Sequence, residues 1–71
     1  MKFDFSIIIP TKNEEKNIEK CLKSILCQTQ RRIEILIVDS LSSDKTILLI
    51  KNLIKKKRND VHIRIIKKIV L

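Results

Sequence analysis

Glycine is absent from this chain of 71 residues, and proline occurs once, at Pro10. A glycine-rich loop that cradles phosphate is therefore missing, which excludes the P-loop and the dinucleotide-binding fingerprint. A flavodoxin-like phosphate-binding or receiver-type domain would need such a loop or an acid cluster at its strand ends, so that alternative lacks support. A chain this short forms at most one small domain, which buries only ~60% of its unfolded surface.

Histidine occurs once, at His62, and no two acidic residues are separated by exactly one other residue. Histidine-based metal clusters and Ser-His-Asp or Cys-His constellations therefore have no support, and we expect a structural role for His62. Cys21 is expected in the core. Cys27 lies ~9 Å further along the same predicted helix, beyond the ~7 Å limit for a disulfide. Both thiols should be reduced, as is usual in the cytoplasm.

Long apolar runs are also missing, since none exceeds four residues. No transmembrane segment is expected, and Asp4 stands where a signal peptide would begin its apolar stretch. We expect a cytoplasmic protein, either free or peripheral at a membrane.

Negative charge is scarce, because 8 Asp and Glu against 16 Lys and Arg leave a net charge of +8. This excess favours a polyanionic partner, although a lysine-rich coding bias would produce it without one. Residues 55–58, with Lys67 and Lys68, suggest an alternative function as a small basic binding module for nucleic acid or an anionic membrane surface. A solvated helix end that complements the macrodipole also explains the run. Only two aromatic residues are available to stack on bases, so we expect no specific nucleic-acid binding.

The rest of the sequence alternates apolar runs with amphipathic stretches. Strands are predicted at residues 5–10, 33–39 and 61–66, and helices at about 11–27 and 44–57. Consecutive apolar residues in the first two strands predict burial on both faces, and Pro10 should end the first strand. The order β-α-β-α-β predicts an α/β fold with a parallel sheet.

Two polar segments follow the first two strands, at the sheet edge where α/β proteins bind ligands. Residues 11–14 fit a capping box, in which Thr11 Oγ1 accepts from the Glu14 amide and the Glu14 side chain reaches back to the Thr11 amide. Residues 40–46 are rich in capping side chains. Helix capping and a ligand site are both compatible with these segments.

Taken together, SIIIPTKNEEKNIEKCLKSIL at residues 6–26 and IEILIVDSLSSDKT at residues 33–46 resemble the start of family 2 glycosyltransferases. Members usually show Pro-Thr-Tyr-Asn-Glu after a strand, then a helix ending in Ser-Ile-Leu, a Gln-Thr turn, and a strand ending in Val-Asp-Asp-Gly-Ser or Val-Asp-Ser-Gly-Ser. The resemblance covers about residues 5–50 with its spacing kept, and Gln28 and Thr29 supply the turn.

The resemblance implies the N-terminal nucleotide-binding part of a glycosyltransferase A fold, a partial Rossmann-like parallel sheet. It also implies a nucleotide-sugar donor as ligand. Carried over by position, the residues that would bind this donor are Pro10, Thr11, Lys12, Glu14, Val38, Asp39 and Ser40. An acid such as Asp39 at a strand end can accept from a base N–H or a ribose hydroxyl.

Three positions depart from the family pattern. Lys12 stands where tyrosine is frequent, and it can pair with phosphate but cannot stack on a base. Ser40 replaces the commoner acid. Leu41 replaces a turn glycine, at a cost of ~1 kcal/mol or more if that residue needs a positive φ.

The metal-binding Asp-x-Asp of the family and its catalytic base have no counterpart in residues 1–71. The metal neutralises the leaving diphosphate, and the base deprotonates the acceptor. We therefore expect no catalytic residue and no cofactor in this chain, with Mg²⁺ or Mn²⁺ bound only by a full-length relative. The chain should be a single, incomplete domain, truncated before that motif and inactive alone.

Successive right-handed crossovers place both helices on one face of the sheet. The other face of the first two strands would then be bare. We expect a second chain or self-association to cover it.

Overall fold

The computed structural model describes residues 2–28 and 31–68, except for the side chain of residue 28. In chain order the elements are β1 (Phe5–Thr11), α1 (Ile18–Gln28), β2 (Ile33–Asp39), α2 (Thr46–Lys56) and β3 (Val61–Lys67). All strands are parallel and lie in the order β1-β2-β3. The predicted α/β class and the β-α-β-α-β order are confirmed.

The core lies between the sheet and a single layer of helices. In the register of the sheet, Ile35 of β2 stands between Ile7 of β1 and Ile63 of β3. Alternate β2 side chains, those of Ile33, Ile35 and Ile37, are completely buried. They share the core with Ile18 and Leu22 of α1 and Ile50 of α2. Both helices therefore cover the same face, as the crossover rule predicts.

The opposite face of the sheet is open. Ile8 is 68% exposed, its neighbour Leu36 on β2 is only half-buried, and Ile66 on β3 is also exposed. The ring of His62, on this face of β3, contacts Phe3 at a centroid distance of 5.9 Å. The prediction that the first two strands are buried on both faces is wrong, because no described element covers the outer face, where β1 side chains are exposed and β2 side chains are only half-buried.

Two boundaries of β1 and α1 differ from the prediction. Pro10 does not end β1, which continues to Thr11. Proline is tolerated because β1 pairs only with β2 among the described strands and so lies at a sheet edge. α1 begins at Ile18 rather than near Thr11, because turns and loop contacts occupy the intervening residues.

The cysteines also differ from the prediction. Cys21 is exposed rather than in the core, and Cys27 is exposed as well. Cys21 adjoins the core stripe of α1, but it faces the uncovered edge of β1 rather than the sheet centre. The predicted Gln-Thr turn includes residue 29, which lies outside the described residues.

The basic run at residues 55–58 is not one uniform patch. Arg58 turns inward, where its Nη1 donates to the Leu26 carbonyl at 3.2 Å and its Nε contacts Asp60 Oδ1 at 3.0 Å. It thereby joins the end of α1 to the turn before β3. No helix among the described residues is long and apolar enough to cross a membrane.

Candidate functional site

Two loops, residues 12–17 and 40–45, leave the sheet side by side at the carboxyl ends of β1 and β2. Their starting points are fixed by the ladder, in which Thr11 pairs with Asp39. The Ser40 amide extends this pairing by donating to the Thr11 carbonyl at 2.9 Å. The parallel register therefore brings together the two segments that the sequence analysis selected.

Asp39 stands at the centre of this edge and is only 1% exposed. Its Oδ1 accepts from Thr11 Oγ1 at 2.6 Å and from Ser42 Oγ at 2.5 Å. Its Oδ2 accepts from the Ser42 amide at 2.8 Å. A carboxylate has about four acceptor positions, so these three bonds leave one position on Oδ2 without a donor among the described residues.

The same contacts determine the charge of Asp39. Burial alone would raise its pKa, but the hydrogen bonds from Ser42 and Thr11 outweigh burial, and the Lys12 charge adds to them. The pKa of Asp39 is therefore below its ordinary value of 3.8. The carboxylate is negative at neutral pH, although it is buried.

Asn13 joins the tips of the two loops. Its amide donates to Ser42 Oγ at 2.9 Å, and its Oδ1 accepts from the Ser43 amide at 2.8 Å. The backbone of Asn13 has a φ of 51°, which asparagine adopts more readily than most residues. This conformation lets its amide and its side chain reach the neighbouring loop together.

A second set of bonds ties the first loop to the start of α2. The Glu14 amide donates to Thr46 Oγ1 at 2.8 Å, and Thr46 Oγ1 in turn donates to Asp44 Oδ1. The pKa of Asp44 is lowered, because hydrogen bonds from Thr46 and from the Glu15 amide outweigh the raising effect of burial. Thr46 is completely buried, so its hydroxyl bridges the loops inside the protein.

The capping box predicted at residues 11–14 is therefore wrong. Thr11 is the last residue of β1, and its hydroxyl donates to Asp39 instead of accepting from Glu14. The Glu14 amide is bound by Thr46. Partners that are distant in sequence have replaced the local ones, because the parallel register places the second loop within hydrogen-bonding distance.

The Lys12 side chain reaches from the first loop to the backbone of the second loop. Its Nζ donates to the Leu41 carbonyl at 3.1 Å. Leu41 has a φ of 54°, so the position at which the family pattern has a turn glycine does take a positive φ in this chain. This backbone turn leaves its side chain 48% exposed.

The predicted donor-binding residues lie at one edge of the sheet but not on one face. Thr11 and Asp39 point toward the helix layer, whereas Pro10 and Val38 belong to the alternate set on the open face. The remaining three are Lys12, Glu14 and Ser40, which stand in or at the start of the loops. Four further residues that link the loops were not predicted: Asn13, Ser42, Asp44 and Thr46.

A small cleft adjoins this edge beside the unpaired side of β1. Its volume is about 230 Å³, and it is lined by Ile9, Pro10, Thr11, Glu14, Asn17, Ile18 and Cys21. Within residues 2–28 and 31–68, no group of three or more His, Cys, Asp or Glu could hold a metal ion. No buried side-chain polar atom in the described part of the chain lacks a hydrogen-bond partner.

Comparison with known proteins extends the match beyond the two loops. The sequence model of the family described as "Glycosyl transferase family 2" matches residues 6–69. A dolichyl N-acetyl-alpha-D-glucosaminyl phosphate 3-beta-D-2,3-diacetamido-2,3-dideoxy-beta-D-glucuronosyltransferase of Methanococcus voltae is 52% identical over 84% of this chain. Glycosyltransferase AglE of Haloferax volcanii is 46% identical over 58% of the chain.

A solved structure shows the same fold. TarS of S. aureus, crystallised in complex with UDP-GlcNAc, matches 96% of this chain with a TM-score of 0.71 and 33% identity. The match covers 18% of that TarS chain, 19% of the M. voltae relative and 14% of the H. volcanii relative. The chain thus spans about a fifth or less of the proteins it matches. Because the family pattern runs through nearly all of its residues, the chain belongs to glycosyltransferase family 2.

Proposed function

We propose that this chain is the nucleotide-recognition part of a family 2 glycosyltransferase, with the two loops at the carboxyl edge binding the nucleotide of a sugar donor. One observation carries the proposal. Asp39 is buried, negative and held rigidly between the loops, with one acceptor position unused. A buried acceptor of this kind discriminates strongly in favour of a ligand that supplies the matching donor.

Each predicted residue receives a role in this proposal. Asp39 accepts from a base N–H or a ribose hydroxyl, while Thr11 fixes the orientation of its carboxylate. Pro10 and Val38 provide apolar contact from the open face of the sheet. Lys12 exchanges the Leu41 carbonyl for a donor phosphate, because a charged oxygen is the stronger partner for its ammonium group.

The other two predicted residues complete the donor site. Glu14 stands on a loop whose backbone is fixed by Thr46, and its half-buried side chain borders the small cleft. Ser40 is half-buried next to Asp39 and offers a hydroxyl to the ribose. Both residues would therefore contribute hydrogen bonds around the sugar of the nucleotide.

The residues described do not fit a divalent metal site, because no suitable cluster occurs among them. We propose that Mg²⁺ or Mn²⁺ is held only in longer relatives and that this chain contributes binding rather than transfer. Incubated with nucleotide sugars and either metal, the chain alone should release nucleotide no faster than a boiled control.

Titration calorimetry with UDP-GlcNAc, the ligand in the TarS structure, tests the donor site. Lys12→Met and Asp39→Asn should each weaken binding about tenfold or more, because bonds to charged groups contribute about 1.5–3 kcal/mol. Glu34→Gln removes one negative charge at the far end of the open face and should bind like the parent. Equal binding by all variants, or none by the parent chain, would contradict the proposal.

We also propose a cytoplasmic location at the periphery of a membrane. Both described cysteines are free and exposed, a state that suits a reducing compartment. The net charge of +8 favours attraction to anionic lipid. We propose in addition that a second copy of the chain, or another chain, covers the open sheet face.

A further inference from the structure

Helix α2 presents a row of exposed residues that the donor site does not use. Leu48, Lys51, Asn52 and Lys55 recur at intervals of three and four residues, and all of them are exposed. At 100° per residue they fall within an arc of about 100°. The other side of the helix buries Thr46 and Ile50 in the core. We call these four exposed residues the α2 stripe.

The charge of the α2 stripe is not compensated. Helix α2 contains no acidic residue, and its last turn adds Lys56 to the lysines of the stripe. The ammonium groups of Lys51 and Lys55 form no ion pair within the described part of the chain. On α1, by contrast, Lys23 lies 3.4 Å from Glu19. Helix α2 therefore carries exposed lysines and no acid of its own, whereas α1 pairs one of its lysines with Glu19.

The exposed side chain of Leu48 favours a membrane surface over nucleic acid as the partner of the α2 stripe. It is 55% exposed in the first turn of α2, on the same side as the lysines. An exposed apolar side chain beside lysines can enter the headgroup region of a bilayer while the ammonium groups stay near the lipid phosphates. A nucleic-acid backbone offers no comparable contact for leucine, and the stripe has no aromatic ring to stack on bases.

We propose that the α2 stripe docks on the surface of an anionic bilayer, with Lys51 and Lys55 facing lipid phosphates and Leu48 inserted among the headgroups. This assignment rests on the peripheral location proposed above and is independent of donor binding. α2 begins at Thr46, where the second loop ends, so Leu48 lies at the end of the helix nearest the candidate site. Docking would hold that edge close to the membrane.

Co-sedimentation with vesicles tests the docking surface. The parent chain should bind phosphatidylcholine vesicles that contain about 30 mol% phosphatidylglycerol and should not bind pure phosphatidylcholine. K51Q/K55Q should lower the partition coefficient about 25-fold, at about fivefold per lysine. Leu48→Gln should also lower it, without any change of charge. A tube without vesicles corrects for self-association.

The matched control is K2Q/R64Q, which removes two positive charges away from α2 and should bind vesicles like the parent. An equal loss in this control, unchanged binding by K51Q/K55Q, or no binding by the parent would overturn the proposal. Complete displacement by duplex DNA at equal phosphate concentration would identify the stripe as a nucleic-acid surface instead. Calorimetry with UDP-GlcNAc on K51Q/K55Q keeps the two proposals apart, because donor binding should not change.

Discussion

Asn13 and Leu41 both have a positive φ, 51° and 54°, and they stand in the two loops that meet at the candidate site. Asparagine accepts this conformation because its short side chain bonds locally, and here it holds the Ser43 amide. Leucine has no such compensation, and its exposed side chain gains little from packing. Backbone strain of this kind persists where the surrounding structure fixes it, and it is frequent at binding sites.

Replacing Leu41 should show the size of this strain. Leu41→Gly is expected to be more stable than Leu41→Ala by about 1 kcal/mol, because glycine adopts a positive φ without the Cβ clash. Alanine is the matched control, since it removes the same side chain but keeps Cβ. Urea unfolding of both variants gives the comparison. A glycine variant less stable than the alanine variant would show that the turn is not strained.

The ionisation of Asp39 should make the free energy of unfolding depend on pH in the acidic range. Its folded pKa is lower than the ordinary value of 3.8, so its stabilising contribution is present above that value and is lost as pH falls through the folded pKa. Asp39→Asn should unfold more easily at pH 7 by about 1–3 kcal/mol, because a neutral amide has one oxygen acceptor instead of two and loses the charge-assisted bonds. Its stability should then decline less between pH 4 and pH 2 than that of the parent. Parallel declines would contradict this role.

Among the elements, the strands were predicted better than the starts of the helices. The β2 bounds agree with the prediction because a run of apolar residues between polar ends is a local pattern. The start of α1 could not be predicted, since Thr11 and Glu14 bond to residues 28 and 32 positions away. The sequence was sufficient to place the seven predicted donor-binding residues at one edge of the sheet. It could not give the hydrogen-bond partners of Asp39, because these depend on the register between β1 and β2. For the unpredicted residues of the second loop, the sequence contained one indication, namely that residues 42–46 are rich in side chains that cap helices.

Thr46 provides a test of the link between the first loop and α2. Thr46→Val keeps the shape but leaves the half-buried Glu14 amide without its acceptor, so a loss of about 1 kcal/mol or more is expected. Thr46→Ser keeps the hydroxyl and should lose less. Unfolding curves compare the two variants, and amide exchange at Glu14 should accelerate only in the valine variant. Equal stability of valine and serine would mean that the hydroxyl bridge contributes little.

At the scale of the whole molecule, the chain has a covered face and an open face. The helices bury the side of β2 that carries Ile35, while Ile8 on the other side of the sheet stays 68% exposed. The described part of β1 also keeps one unpaired edge. Exposed apolar strands with free edges favour association, whereas a net charge of +8 opposes it. The sequence predicted this asymmetry through the crossover rule, but it carries no information about what covers the open face.

Self-association should therefore increase with salt, which screens repulsion beyond ~8–10 Å at physiological strength. Sedimentation velocity at about 50 mM and about 500 mM salt should show larger species at the higher concentration. Ile8→Lys should suppress them, whereas Leu48→Lys, the same change on the helix layer, should not. A monodisperse parent chain at both salt concentrations would contradict the exposed-face account.

The central claim is that the two loops at the carboxyl edge bind the nucleotide of a sugar donor. Titrating the ¹⁵N-labelled chain with UDP-GlcNAc and following its amide resonances tests this claim most directly. The account predicts saturable shifts concentrated at residues 11–14 and 38–42, and weaker saturation in Lys12→Met with the rest of the spectrum preserved. Shifts confined to α2 or to the part of the open sheet face away from the carboxyl edge, or no saturable shift at all, would contradict it.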